Sequence, residues 1–349
     1  MKKTTLAFMI TTILYSCSSN KKTEKDHFSS FPKTETIQFK EIVEFKKGVP
    51  QKLMVIDSNL IISNNYSNVS HFFYNYSLKD KKYKKKYFKK GRGPNEILSS
   101  NGGVINNEKL FVYDVTIKKI VSTDLSIALD TITAKLKFEE KYLKNYYDEI
   151  SFINDKTFLA TGIENSQNKA SLVNLSTENI VRNFGKYKNR PSKIPLDAYK
   201  DAYTSYIYLR PSGGKFVIPY RYTDLIEIYN LKDSSFVTKQ GPKVFNPEFE
   251  VKGRQGNFYM SKTKKTRKAF VSGMVTDDYI YLLFSGHLRT EENWSFGKSI
   301  YVYDWEGNPI KEIKLDRYIY TFTVTNDNKE IYAFDENTGY IVHSKISLK

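Results

Sequence analysis

Catalysis needs a nucleophile, a base or a set of metal ligands at workable spacing, and this chain offers few of them. Its four histidines are His27, His71, His287 and His343, and its one cysteine is Cys17. There is no His-Glu-x-x-His or cysteine-based metal pattern and no Gly-x-Ser-x-Gly elbow. Gly91-Arg92-Gly93 lacks the following helix and the Lys-Ser/Thr pair that make a phosphate loop. Glu96, just after that turn, is expected to bond loop backbone. What remains is binding chemistry. His287 and Arg289 lie near Trp294, a grouping of cation, imidazole and aromatic face suited to a polar ligand. With Arg92, Glu96, Arg210 and Arg221 they make up the candidate ligand residues, and no catalytic residue is assigned. Arg210 follows what reads as an inner strand, which sets it apart from the rest. An enzyme, a lyase or hydrolase with a divalent cation at a channel mouth, is the alternative. Such sites use scattered Asp, Asn and Glu that spacing does not reveal. No other cofactor is expected.

Cys17 carries a different chemistry. Lys2 and Lys3 precede an apolar run from Leu6 to Leu14, and Ser18, Ser19, Asn20 and Lys21 follow the cysteine. A membrane-spanning helix needs roughly 20 apolar residues, and this run is shorter, as in a cleaved export signal. The order Leu14-Tyr15-Ser16-Cys17 resembles a bacterial lipoprotein signal, with Tyr15 bulkier than usual. That resemblance implies cleavage of residues 1–16 and lipidation of Cys17. One acyl chain binds a membrane only marginally, whereas bacterial lipoproteins carry several on one cysteine. The expected location is therefore the cell envelope, anchored to the outer membrane and facing the periplasm or the surface.

The chain has 349 residues, 55 Lys+Arg and 38 Asp+Glu, for a formal charge of +17. Loss of Lys2 and Lys3 with the signal leaves 17 − 2 = +15. Such a charge favours polyanions, but an exported protein meets little nucleic acid, so none is expected as partner. Glycans, anionic envelope components or a protein partner fit the compartment better. The wealth of Lys, Asn, Tyr, Ile and Phe is also what an AT-rich coding sequence yields.

Residues 17–35 read as a polar, flexible tether. Beyond it, short apolar-aromatic runs alternate with Asn, Asp, Gly and Lys turns, which indicates an all-β fold. Lys109–Asp114, Lys215–Pro219 and Tyr279–Phe284 each start an up-down-up set about 40 residues long, the size of a propeller blade. Six fit in 36–349: about 49–90, 100–137, 147–185, 203–240, 268–315 and 318–349. The last has three strands, and Thr36–Phe45 is expected to supply the fourth, closing the ring. The eight lysines between Lys79 and Lys90 fall on an outer strand, where lysine guards against edge pairing.

Two motifs carry a family resemblance. Gly91-Arg92-Gly93-Pro94-Asn95-Glu96 resembles a Gly-x-Gly-Pro-Gly-Glu signature, departing at Asn95. Val302-Tyr303-Asp304-Trp305-Glu306-Gly307-Asn308-Pro309 resembles a Val-x-Asp-Trp-x-Gly-Asn-Pro signature. With Asp278-Tyr279-Ile280-Tyr281 they are similar to the TolB-like six-bladed β-propeller lipoproteins of Bacteroidetes. The resemblance implies fold and location, and no reaction.

In a propeller the four strands of a blade, a to d, run outward from the channel. The b–c turns and the d–a links between blades therefore share one face. The long connections 64–70, 91–102, 186–202, 241–267 and 285–298 are all of these kinds, so that face is the expected binding surface. The expected function is lipid-anchored ligand binding in the envelope. A protein–protein scaffold in envelope assembly is the third reading.

Overall fold

The computed structural model describes residues 26–64, 69–101, 103–106, 108–129, 137–188 and 190–348. The expected signal segment 1–16, Cys17 and the first part of the expected tether lie outside the described residues. The N-terminal segment forms β1 (Asp26–His27), β2 (Thr34–Ile37) and β3 (Lys40–Glu44). Blade one is β4 (Pro50–Ile56), β5 (Asn59–Asn64), β6 (His71–Ser77) and β7 (Lys82–Lys89). Blade two is β8 (Gly103–Asn106), β9 (Lys109–Asp114), β10 (Lys119–Asp124) and β11 (Glu139–Tyr142), with α1 (Leu125–Leu129) before its last strand. Blade three is β12 (Ile150–Asn154), β13 (Thr157–Ala160), β14 (Asn168–Asn174) and β15 (Ile180–Lys186). After α2 (Leu196–Ala202), blade four is β16 (Tyr208–Leu209), β17 (Lys215–Pro219), β18 (Leu225–Asn230) and β19 (Phe236–Gln240). A hairpin, β20 (Phe249–Arg254) with β21 (Asn257–Lys262), precedes blade five. Blade five is β22 (Phe270–Val275), β23 (Tyr279–Phe284), β24 (Gly297–Asp304) and β25 (Pro309–Ile319). Blade six is β26 (Thr321–Val324), β27 (Glu330–Asp335) and β28 (Tyr340–Lys345), completed by β3.

The ring closes as expected: β3 pairs antiparallel with β28, Ile341 facing Val43. Residues 26–35, expected as part of the tether, contribute to the ring instead. β1 pairs in parallel with β19, and β2 pairs in parallel with β25. The N-terminal segment thus binds blades four, five and six in turn. Phe28 and Phe31 cause this. Phe31 is buried, with its ring 4.8 Å from Tyr301 and 5.6 Å from Tyr303. Gly241 lets Phe28 in: a Cβ there would lie 2.3 Å from the Phe28 carbonyl oxygen.

Adjacent residues of a strand point to opposite faces, and in this ring both faces meet another blade. Phe111 and Tyr113 pack on blade three, while Leu110 and Val112 pack on blade one. The same division recurs at every blade boundary, which accounts for the continuous apolar runs. Phe45 sits at the closure, its ring 5.6 Å from Tyr74 of blade one and 6.5 Å from Phe334 of blade six.

Two other differences from the sequence reading stand out. Blade two extends to Tyr142, because its outer strand is the polar Glu139-Glu140-Lys141-Tyr142. Its c–d connection opens with α1, which follows β10 at the end opposite the b–c turns, so the connections are not all segregated to one face.

Candidate functional site

Inner strands β4, β8, β12, β16, β22 and β26 surround the channel, and all begin at the b–c and d–a face. At that mouth lies a cavity of about 330 Å³, lined among others by Gln51, Lys52, Asp148, Glu149, Tyr206 and Tyr320. Arg221 reaches it from the b–c turn of blade four. Its backbone N–H donates to Thr204 O at 2.9 Å, which fixes the turn. Its Nη2 donates to Glu149 Oε1 at 2.8 Å, and its guanidinium lies 4.3 Å from the Tyr206 ring centroid. The Tyr206 hydroxyl donates to Val271 O at 2.6 Å, holding that ring in place.

The electrostatics follow from this crowding. Burial pushes the Glu149 carboxyl above its ordinary value, while Arg221 and Lys52 pull it back in part. Burial pushes the Lys52 ammonium down, against the pull of Glu149. Burial also pushes the Tyr206 and Tyr146 hydroxyls up to about 12, so both stay protonated at neutral pH. Two polar atoms of the mouth, Arg221 Nε and Gln51 Oε1, are buried without a hydrogen-bond partner. Among the described residues no group of three or more His, Cys, Asp or Glu is placed to hold a metal ion.

On the rim beside Arg221, the Tyr222 and Trp294 rings lie nearly parallel, with centroids 6.4 Å apart. Lys268 Nζ is 5.2 and 5.1 Å from these two centroids, and Lys262 Nζ is 5.7 and 5.9 Å from them. The Trp294 indole nitrogen is buried without an acceptor. Arg289 donates through Nη1 to Lys262 O, which ties the blade-five loop to the hairpin end.

Of the sequence candidates, Arg221 and Trp294 come together here, and Arg289 supports them. His287 stands apart on the same loop, its Nδ1 beside Glu291 and its Nε2 3.3 Å from Tyr318 OH. Arg92 is exposed on the link to blade two. Glu96 builds that link, accepting from Gly93 N and from Lys89 Nζ, both at 2.9 Å. Gly91 leaves room for this carboxylate: a Cβ would fall 1.9 Å from Glu96 Oε2 and displace it. Arg210 is a correction. It follows the inner strand β16 and so lies at the opposite end of the channel, donating through Nε to Asp277 O at 2.9 Å. The cavity at that end is walled by apolar residues such as Leu53, Met54, Leu209 and Val324. Sequence reasoning missed Gln51, Lys52, Glu149, Tyr206 and Tyr320. The signal available was positional: each lies at or just before the start of an inner strand.

Six four-stranded antiparallel blades around a channel with one polar mouth make this an all-β, six-bladed β-propeller. The chain belongs to the TolB-like six-bladed propeller family, whose model, "TolB-like 6-blade propeller-like", matches residues 27–327. No curated protein matches the chain. Among solved structures, the β-propeller domain of Cps50 (Swd1) from Myceliophteria thermophila is 10% identical, with a TM-score of 0.48 over 88% of this chain and 100% of that one. Hydrazine synthase from Kuenenia stuttgartiensis is 10% identical, with a TM-score of 0.49 over 88% of this chain and 98% of that one.

Proposed function

We propose that this protein is a lipid-anchored binding protein of the bacterial cell envelope, held at the outer membrane through Cys17, and that its channel mouth captures the end of a glycan. The observation that carries the reading is the pair of unmet polar atoms at that mouth. Arg221 Nε is a donor without an acceptor, and Gln51 Oε1 is an acceptor without a donor. Leaving a buried polar group unsatisfied costs about 1–3 kcal/mol. A sugar hydroxyl both donates and accepts, so adjacent hydroxyls suit both atoms. The tyrosines of the cavity offer apolar faces for the sugar ring, and a volume of about 330 Å³ suits a terminal residue rather than a long chain.

The test is a glycan array probed with the full chain carrying Cys17→Ser, followed by titration of any hit against Arg221→Met. The hit is expected to lose at least tenfold in affinity. Undiminished binding by the Arg221→Met chain would move the site away from the mouth and sink the reading.

A further inference from the structure

We propose that the captured ligand carries an anionic group, and that Lys262, Lys268 and the Trp294 indole N–H receive it on the rim beside Arg221. The inference rests on the channel mouth being the binding site and specifies the chemistry of what binds there. Lys262 and Lys268 both stand against the Tyr222 and Trp294 rings. Neither takes part in an ion pair among the described residues, although sixteen such pairs occur elsewhere. Arg221 and Lys262 both act against the charge on Lys268.

Aromatic faces attract ammonium groups, but they accept no strong hydrogen bond. Among the described residues neither ammonium donates to a hydrogen-bond acceptor. The buried Trp294 N–H lacks one too, and so does Arg221 Nε. A compact oxyanion, carboxylate or phosphate, provides the missing oxygens and offsets the repulsion. Tyr222 and Trp294 then flank the sugar that bears it. Burial and the neighbouring cations push the Lys268 ammonium down to about 7, so a bound anion would also hold its proton in place. The titratable groups on the elements beside Lys268 are Arg221 and Tyr222 of the blade-four turn, Lys262 of the hairpin, and, on the blade-five loop whose His287 carbonyl accepts from the Lys268 N–H at 2.9 Å, His287, Arg289 and Glu291, the last paired with His287.

The chain reports on this site itself. It has two tryptophans, and Trp305 is buried with its indole N–H donating to Thr276 O at 3.1 Å. A ligand-induced fluorescence change is therefore a signal from Trp294. The Cys17→Ser chain is titrated at pH 6.5 with a galacturonate oligomer, with inorganic phosphate and with a neutral galactose oligomer of equal length. The acidic oligomer is expected to bind at least tenfold more tightly than the neutral one, and Lys268→Gln to remove that advantage. Lys268→Arg should keep the advantage and abolish its weakening between pH 6.5 and 8. His287→Gln, run alongside, should leave both intact. Phosphate competing with the acidic oligomer assigns the shared anion chemistry to these donors. Phosphate binding alone identifies a phosphate-bearing ligand. Equal affinity for acidic and neutral oligomers overturns the anion site while leaving the mouth itself standing. An acidic preference that survives Lys268→Gln also overturns it, as does no response to either anion.

Discussion

Arg221→Met should strand the Glu149 carboxylate, and the consequence can be worked from the geometry. Breaking a fully buried ion pair from one side costs about 3–5 kcal/mol. Here the Arg221 and Glu149 side chains keep 29% and 18% of their surface. Water can then reach the orphaned charge, which lowers the expected loss to about 2–3 kcal/mol. The pH dependence has a definite sign. Burial already raises the folded-state pKa of Glu149, and Arg221 opposes that rise. Removing Arg221 lifts it further above the unfolded value of about 4.3. A raised folded pKa means that the group's relative stability is greatest at low pH and is lost as pH climbs through the folded value. The deficit of Arg221→Met should therefore be larger at pH 8 than at pH 5.5. Urea unfolding at both values, with an unchanged slope, measures it. The double variant Arg221→Met/Glu149→Gln should recover to within about 1 kcal/mol of the parent, because no charge is left stranded. An equal deficit at both pH values, or a double variant no better than the single, refutes the reasoning.

Phe45→Ala should cost about 3–5 kcal/mol, since the ring bridges Tyr74 and Phe334 at the closure; a loss below 1 kcal/mol in urea unfolding would deny it that role. Gly91→Ala should lower the melting temperature through collision with the Glu96 carboxylate, and adding Glu96→Ala should restore part of the loss. Cys17→Ser should move the protein from the membrane to the soluble fraction, and unchanged fractionation would dismiss the lipid anchor.

The blades were legible because their middle strands are buried on two faces, so the apolar runs stand out against polar turns. The outer strand Glu139–Tyr142 was not, since it has solvent on one side and reads as loop. Nor was the N-terminal strap, where Phe28 and Phe31 are two aromatic anchors in an otherwise polar stretch. At the site, Arg221 and Trp294 were visible as loop residues on the long-loop face. Glu149, Tyr206 and Tyr320 were not, because at the start of an inner strand they look like ordinary strand-flanking residues. Arg210 was grouped with the mouth residues although it follows an inner strand, and the outward strand order already sends such a residue to the opposite end of the channel.

The strap across blades four, five and six also sets an order of assembly. The Ser347 amide donates to the Glu35 carboxylate across 312 residues of sequence. Closing a flexible loop of that length costs about 5 kcal/mol, against about 1 kcal/mol for a four-residue turn. Blades with short connections can form locally, but β3 has no partner until β28 exists, and β1 none until β19 does. The earliest described residues of the chain are thus the last to be placed. Until they arrive, the hydrogen-bonding edge of β28 stays open. The folding chain is most exposed to mispairing in the interval between completion of its last residues and return of its first.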